Sequence, residues 1–193
     1  MVTTSECIKK TDEQLVVLTL KNQEYYLCLM KRYEDKLFNY ISKISNISKE
    51  EAEDILQEVF IKVYQNLNDY DSNSKFSSWI YRIAHNATIS AFRKKDVRPQ
   101  SVPWDNEELI NIMKSTSNIE KDIIQQSTYK QILNIIDSLP FKYKEVLILK
   151  FVENKDYREI SDILHKPMGT IATLINRAKK SLNQELDKEG IKI

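Results

Sequence analysis

The sequence predicts an all-α protein, two small helical domains joined by a flexible linker, with a helix-turn-helix in the C-terminal one. Three observations carry that prediction. Glycine occurs 2 times and proline 4 times in 193 residues, too few for the positive-φ hairpins that sandwiches, barrels and glycine-rich nucleotide folds require. Apolar residues recur at helical spacing behind hydroxyl or acidic cap residues. The stretch 97–122 loses that period and carries Pro99 and Pro103 among scattered Ser and Asn, which reads as a linker.

Charge and hydropathy bound the class. Lys plus Arg is 29 and Asp plus Glu is 28, a net charge of +1, with 41% hydrophobic and 30% charged residues. This is the balance of a soluble globular protein. No apolar run reaches the roughly 20 residues that span a bilayer. The segment Met1–Lys10 lacks the apolar core of a secretory signal, and Leu15–Leu20 is too short to supply one. The expectation is a cytoplasmic protein without membrane insertion. Cys7 and Cys28 are too few for a disulfide framework or a zinc site, and both are expected to serve as small apolar side chains.

The first domain is predicted over 1–96. Thr11 and Gln14 make a capping box that starts a helix, and two helices fit before Ile47. Ser48 caps the next, with Glu50, Glu51, Glu53 and Asp54 where the helix dipole favours acid. Its apolar stripe is Ala52, Ile55, Val59, Val63 and Leu67. Asn68–Ser74 is a polar turn, and a further helix runs over Lys75–Lys95. Within the linker a short helical piece is expected at Glu107–Met113.

The second domain is predicted over 123–193, with helices near Ser127–Asp137, Phe141–Val152, Tyr157–Leu164 and Met168–Leu186. His165-Lys166-Pro167 separates the last two by the length of a helix-turn-helix turn.

Three helix faces point to partners. On the Lys75–Lys95 helix, Phe76, Ile80, Ile83, Ala84, Ala87 and Ala91 form a core side. Lys75, Arg82, Asn86 and Arg93 fall within about 40° of one another on the other side, with Trp79 at the edge. From Lys75 to Arg98 six cations stand against one acid, a local charge of +5 on a chain whose total is +1. Cations take phosphates, aromatics stack on bases and an amide pairs with a base edge, so this face suits a nucleic-acid strand; the bland alternative is a solvated face. On the last helix, Ile171, Ile175, Ala178 and Leu182 share a core side, while Thr170, Thr173, Leu174 and Arg177 share the other, followed by Lys179 and Lys180. That is the pattern of a recognition helix. Leu174 there would meet either a thymine methyl or a neighbouring domain. On the third face, Asp54, Gln57, Glu58 and Ile61 lie together; acid there repels DNA, so the face suits a protein or bare solvent.

Catalytic and metal readings fail on spacing. Asp69-Tyr-Asp71-Ser-Asn73 begins like a calcium loop, but Ser74 and Ile80 stand where Gly and Glu are required. Neither His85 nor His165 has a Glu three residues before it, which excludes a di-iron bundle. No nucleophile, ligand set or phosphate loop accompanies the acids of 50–58. The expectation is a non-enzyme without cofactor.

Together these stretches resemble the extracytoplasmic-function (ECF) sigma factors of the sigma-70 family. Glu51-Ala-Glu-Asp-Ile-Leu-Gln-Glu-Val-Phe60 is similar to region 2.2. Phe76-Ser-Ser-Trp-Ile-Tyr-Arg-Ile-Ala-His-Asn86, followed by Arg93-Lys-Lys95, is similar to regions 2.3 and 2.4. Leu139-Pro140, Glu159-Ile160, Pro167-Met-Gly-Thr-Ile171 and Arg177-Ala-Lys-Lys180 are similar to region 4. The resemblance spans about Thr11–Leu186. It implies a factor that binds core RNA polymerase, directs it to promoters and melts the −10 element, the polymerase doing the chemistry.

By the same resemblance Asp54, Gln57, Glu58 and Ile61 would meet the clamp helices of the β′ subunit. Asn68, Asp71, Asn73, Lys75, Phe76, Trp79, Arg82, Asn86, Arg93, Lys94 and Lys95 would read the −10 DNA, the turn capturing a flipped base at a cost of a few kcal/mol. Lys166, Thr170, Thr173, Leu174, Arg177 and Lys180 would read the −35 DNA, and region 4 would sit on the β flap. An anti-sigma partner is implied as well. Three departures stand out: Ala172-Thr173-Leu174 replaces a common Lys-Ser-Arg, His165 replaces a common turn Gly, and Ser90 replaces a common acid. Histidine tolerates the left-handed region better than most residues, so the turn survives. The rival reading is a free-standing helix-turn-helix regulator, a dimer on palindromic duplex sites.

Overall fold

The structure is a computed structural model, and residues 4–95 and 131–190 are described. The linker 97–122 and the Glu107–Met113 piece lie outside them. All regular structure among the described residues is helical.

In the N-terminal half, α1 spans Thr4–Ile8, α2 Asp12–Lys21, α3 Tyr26–Ser45, α4 Lys49–Gln65 and α5 Phe76–Lys95. The capping box at Thr11/Gln14 forms as the sequence predicts, and Ser48 caps α4 as expected, with Glu51 completing a box there. Asn46 ends α3 in the left-handed region at φ 49°, a place Asn occupies at low cost. The long α3 is the central helix. Its Leu37, Tyr40 and Ile41 have no solvent exposure, and neither do Ala52, Val59 and Val63 of α4 or Ile80 and Ala84 of α5. Buried hydroxyls find partners: Tyr26 donates to the Phe60 carbonyl at 2.5 Å, and Tyr33 donates to Asp12 Oδ2 at 2.5 Å.

The cysteine expectation is corrected here. Cys7 and Cys28 are joined in a disulfide with Cα atoms 5.4 Å apart. Short α1 folds back on α3, and Arg32 holds it there, donating to the Cys7 and Lys10 carbonyls and pairing with Asp12 at 2.6 Å. A separation of 21 residues across a turn carries no local signal of that contact.

In the C-terminal half, α6 covers described residues 131–138. Helix α7 spans Phe141–Leu147 and runs on as a π turn over Ile148–Val152, whose wider winding delivers the chain to Glu153. Helix α8 spans Tyr157–Leu164 and α9 Met168–Lys188. Ile160, Ile171, Ile175 and Ala178 are fully buried between α8 and α9. His165 ends α8 at φ 52° and its N–H returns to the Ser161 carbonyl. This is the left-handed turn expected of a residue standing in a glycine's place.

Candidate nucleic-acid interface

Helix α5 is built from an aromatic anchor upward. Phe76 is fully buried and Trp79 is 7% exposed. Their rings pack at 5.6 Å from each other, and each lies 5.5 Å from Tyr70. Both were expected to touch DNA. The apolar side of the helix turns Phe76 inward, and Tyr70 folds over Trp79, so these rings hold the turn against α5 rather than stand open to a strand. The turn itself is well bonded. Asp71 Oδ1 accepts from the Asn73 backbone and side-chain amides at 2.9 Å, and Tyr70 donates to the Ser74 carbonyl at 2.5 Å. Asn68, Asp71 and Asn73 are exposed.

Lys75, Asn86 and Arg93 are exposed and Arg82 is half-buried, so four of the expected cations and amides do share one side. Lys94 and Lys95 close the helix, their side chains outside the described set. Lys75 and Arg82 of that side face the C-terminal half. Lys75 Nζ lies 3.3 Å from Asp156 Oδ2 and 3.6 Å from Glu159 Oε1. Glu159 beside it, then Asp156, raise the pKa of the Lys75 ammonium. Ser77 donates to Glu159 Oε1 at 3.3 Å, and Arg82 comes within 3.4 Å of His165 Nε2. A cavity of about 350 Å³ opens along this seam, lined by Ser78, Trp79, Arg82, Ser161, Asp162 and His165 among others.

Deeper in the seam lie groups that sequence reasoning missed. Tyr81 donates to Glu153 Oε2 at 2.5 Å, and Lys155 Nζ stands 4.2 Å over the Tyr81 ring. Burial raises the Glu153 pKa, an effect the Tyr81 hydrogen bond partly offsets. His85 is within 3.1 Å of the Tyr40 hydroxyl and 3.8 Å of Glu145. Burial, with Lys166 nearby, brings its pKa down to about 4, so the ring is neutral near pH 7 and this contact is not an ion pair. Burial raises the Glu145 pKa too, while Lys166 at 3.0 Å lowers it. Nothing local in the sequence marks these residues, because the partners stand far apart in the chain, 45 positions for Tyr40 and His85 and 72 for Tyr81 and Glu153.

On α9, Thr170, Thr173, Arg177 and Lys180 are exposed. Thr173 donates back to the Gly169 carbonyl at 2.9 Å, Lys166 is held by Glu145, and Leu174 is half-buried against the core. On α4, Asp54, Gln57 and Glu58 are exposed, with Ile61 58% exposed beside them. Glu58 pairs with Lys62 at 2.6 Å.

Known proteins share both halves. Residues 29–98 match the family described as Sigma-70 region 2, and residues 129–182 match Sigma-70, region 4. The chain is 33% identical over 171 residues to the ECF RNA polymerase sigma factor SigW of Bacillus subtilis, covering 86% of this chain and 90% of that one. It is 29% identical over 182 residues to the ECF RNA polymerase sigma-E factor of Escherichia coli, covering 91% and 94%. Two solved structures share the fold. CnrH in complex with the cytosolic domain of CnrY matches at TM-score 0.65 and 18% identity, over 90% of this chain and 96% of that one. The sigma factor RpoE in complex with the anti-sigma factor NepR from Bartonella quintana matches at 0.64 and 19%, over 88% and 98%. A free-standing helix-turn-helix regulator accounts for neither the region 2 match nor these relatives. With both regions in order and a relative alike over most of its length, the chain belongs to the ECF sigma factors of the sigma-70 family and is an alternative sigma factor that directs RNA polymerase to promoters.

Proposed function

We propose the following division of labour within this sigma factor. Residues 1–96 dock on polymerase and read the −10 element, 97–122 link, and 123–193 read the −35 element. Asp54, Gln57, Glu58 and Ile61 of α4 meet the β′ clamp helices: three polar side chains beside one exposed apolar one suit a protein surface. Lys75, Arg82, Asn86 and Arg93 of α5, with Lys94 and Lys95, track the melted strand and its phosphates. Asn68, Asp71 and Asn73 border the extruded base, while Phe76 and Trp79 support that turn from beneath. Thr170, Thr173, Arg177 and Lys180 of α9 enter the major groove, flanked by Lys166 and Leu174, while the same half rests on the β flap. The factor works in the cytoplasm, and an anti-sigma protein covers its polymerase-binding faces. The sigma factor itself catalyses nothing.

The observation that carries this reading is the separation of charge by helix: exposed acid and amide on α4 and cations on α5. Co-elution with bacterial core polymerase tests it. The native chain is expected to bind, and a variant with Asp54→Ala, Gln57→Ala and Glu58→Ala is expected to lose binding while keeping its helical circular dichroism. Equal binding by both would move the docking face elsewhere.

A further inference from the structure

The seam between α5 and α8 has a one-sided chemistry. Along it the acids come from the C-terminal half: Glu145, Glu153, Asp156 and Glu159. Their partners on the other side are Lys75, Ser77, Tyr81 and His85 of α5. Asp156 and Glu159 also form the capping box of α8, and each divides its two oxygens between the tasks. Asp156 Oδ1 accepts the Glu159 N–H at 2.8 Å, while Oδ2 faces Lys75. Glu159 Oε2 accepts the Asp156 N–H at 3.0 Å, while Oε1 faces Ser77 and Lys75. A carboxylate oxygen toward a lysine is what a phosphate oxygen would offer the same lysine. On helix α9, Thr170, Thr173, Arg177 and Lys180 are exposed, and Thr173 donates back to its own helix.

We propose that the α8 capping box is an internal competitor for the nucleic-acid strand, its outward carboxylate oxygens standing where strand phosphates would stand on α5. The two halves therefore clasp in the free protein, the clasp and the strand exclude one another at Lys75 and Arg82, and the α9 face stays available throughout. This rests on the reading of α5 as the strand-reading face.

The test neutralises the outward oxygens and keeps the caps. Asp156→Asn with Glu159→Gln retains one cap acceptor at each position and removes both charges. A control of equal net charge, Asp187→Asn with Glu189→Gln, alters acids near the end of α9. Two quantities are read: the radius of gyration in solution, and affinity for a fluorescein-labelled single strand of mixed adenine and thymine. The expected result is a compact native chain and compact control, and a strand affinity roughly fivefold higher in the seam variant alone, the scale of a broken exposed pair or two. An expanded native chain overturns the proposal. So does equal affinity in seam variant and control, whether both rise, both stay at the native value, or neither binds. Core-polymerase co-elution of the same proteins separates this from the proposed function: failure there removes the docking assignment and leaves the compaction result standing.

Discussion

The Tyr81 hydroxyl of α5 donates to Glu153, 72 residues later in the chain, at 2.5 Å. Glu153 follows the π turn that ends α7, and burial raises its pKa. Tyr81 donates to this part-buried acid beside the nearby Lys43, Lys155 and Lys36. Tyr81→Phe keeps the ring and removes only the hydroxyl. It is expected to lower stability by about 1 kcal/mol, the net worth of one such hydrogen bond, read as a drop in the urea midpoint at unchanged slope.

His85 predicts a pH effect of definite sign. Its usual pKa of 6.5 falls to about 4 here through burial, with Lys166 adding to it, while Tyr40 and Glu145 also face the ring. The folded state binds fewer protons than the unfolded state between those values, so this contribution is complete above 6.5 and fades as pH falls toward 4. Over that window it is worth about 3 kcal/mol. Glu145 acts in the opposite sense, because burial raises its pKa and acid then favours its folded form. Urea unfolding of the native chain and of His85→Gln isolates the histidine: the variant's stability is expected to fall less steeply with acid across this window.

His165 sits at φ 52° where α8 ends. Glycine adopts that geometry without a Cβ penalty and β-branched residues resist it. His165→Gly is expected to raise stability by up to about 1 kcal/mol, and His165→Val to lower it by at least as much, both read as shifts in thermal midpoint. A rise in the midpoint with Val would show that contacts of the imidazole, not backbone conformation, control this position.

The Cys7–Cys28 bond closes a loop of 21 residues' separation onto α3. Reduction, or Cys7→Ser, is expected to lower stability by about 3 kcal/mol or less, since α2 and Arg32 already hold this segment. Thiol titration of the unfolded protein before and after reductant counts the bond directly, and free thiols in both samples would remove it.

The helices were legible because their signals are local. The capping box at Thr11 and the cap at Ser48 sit within three residues of their partners, and the apolar stripes of α4, α5 and α9 emerge buried or packed against the core. The exposure of Asp54, Gln57, Glu58 and Ile61 on α4 and of Thr170, Thr173 and Arg177 on α9 follows from the same periodicity. The packing of Tyr70 over Phe76 and Trp79 was not legible, because a basic stripe nearby says nothing about a ring folding over from the preceding turn. Cys7–Cys28 and the Tyr81–Glu153 contact were invisible because each depends on how one helix lies on another, which no short window of sequence contains.

Asp156 places two selective demands on one side chain. Its inner oxygen holds the first turn of α8 and its outer oxygen holds Lys75. Serine, threonine or asparagine could inherit the first task but carry no charge for the second, and glutamate would keep the charge while capping poorly. Divergence at this site is thus narrowed to a single residue type unless position 75 changes in step. Across descendants of this chain, positions 75 and 156 should drift as a pair.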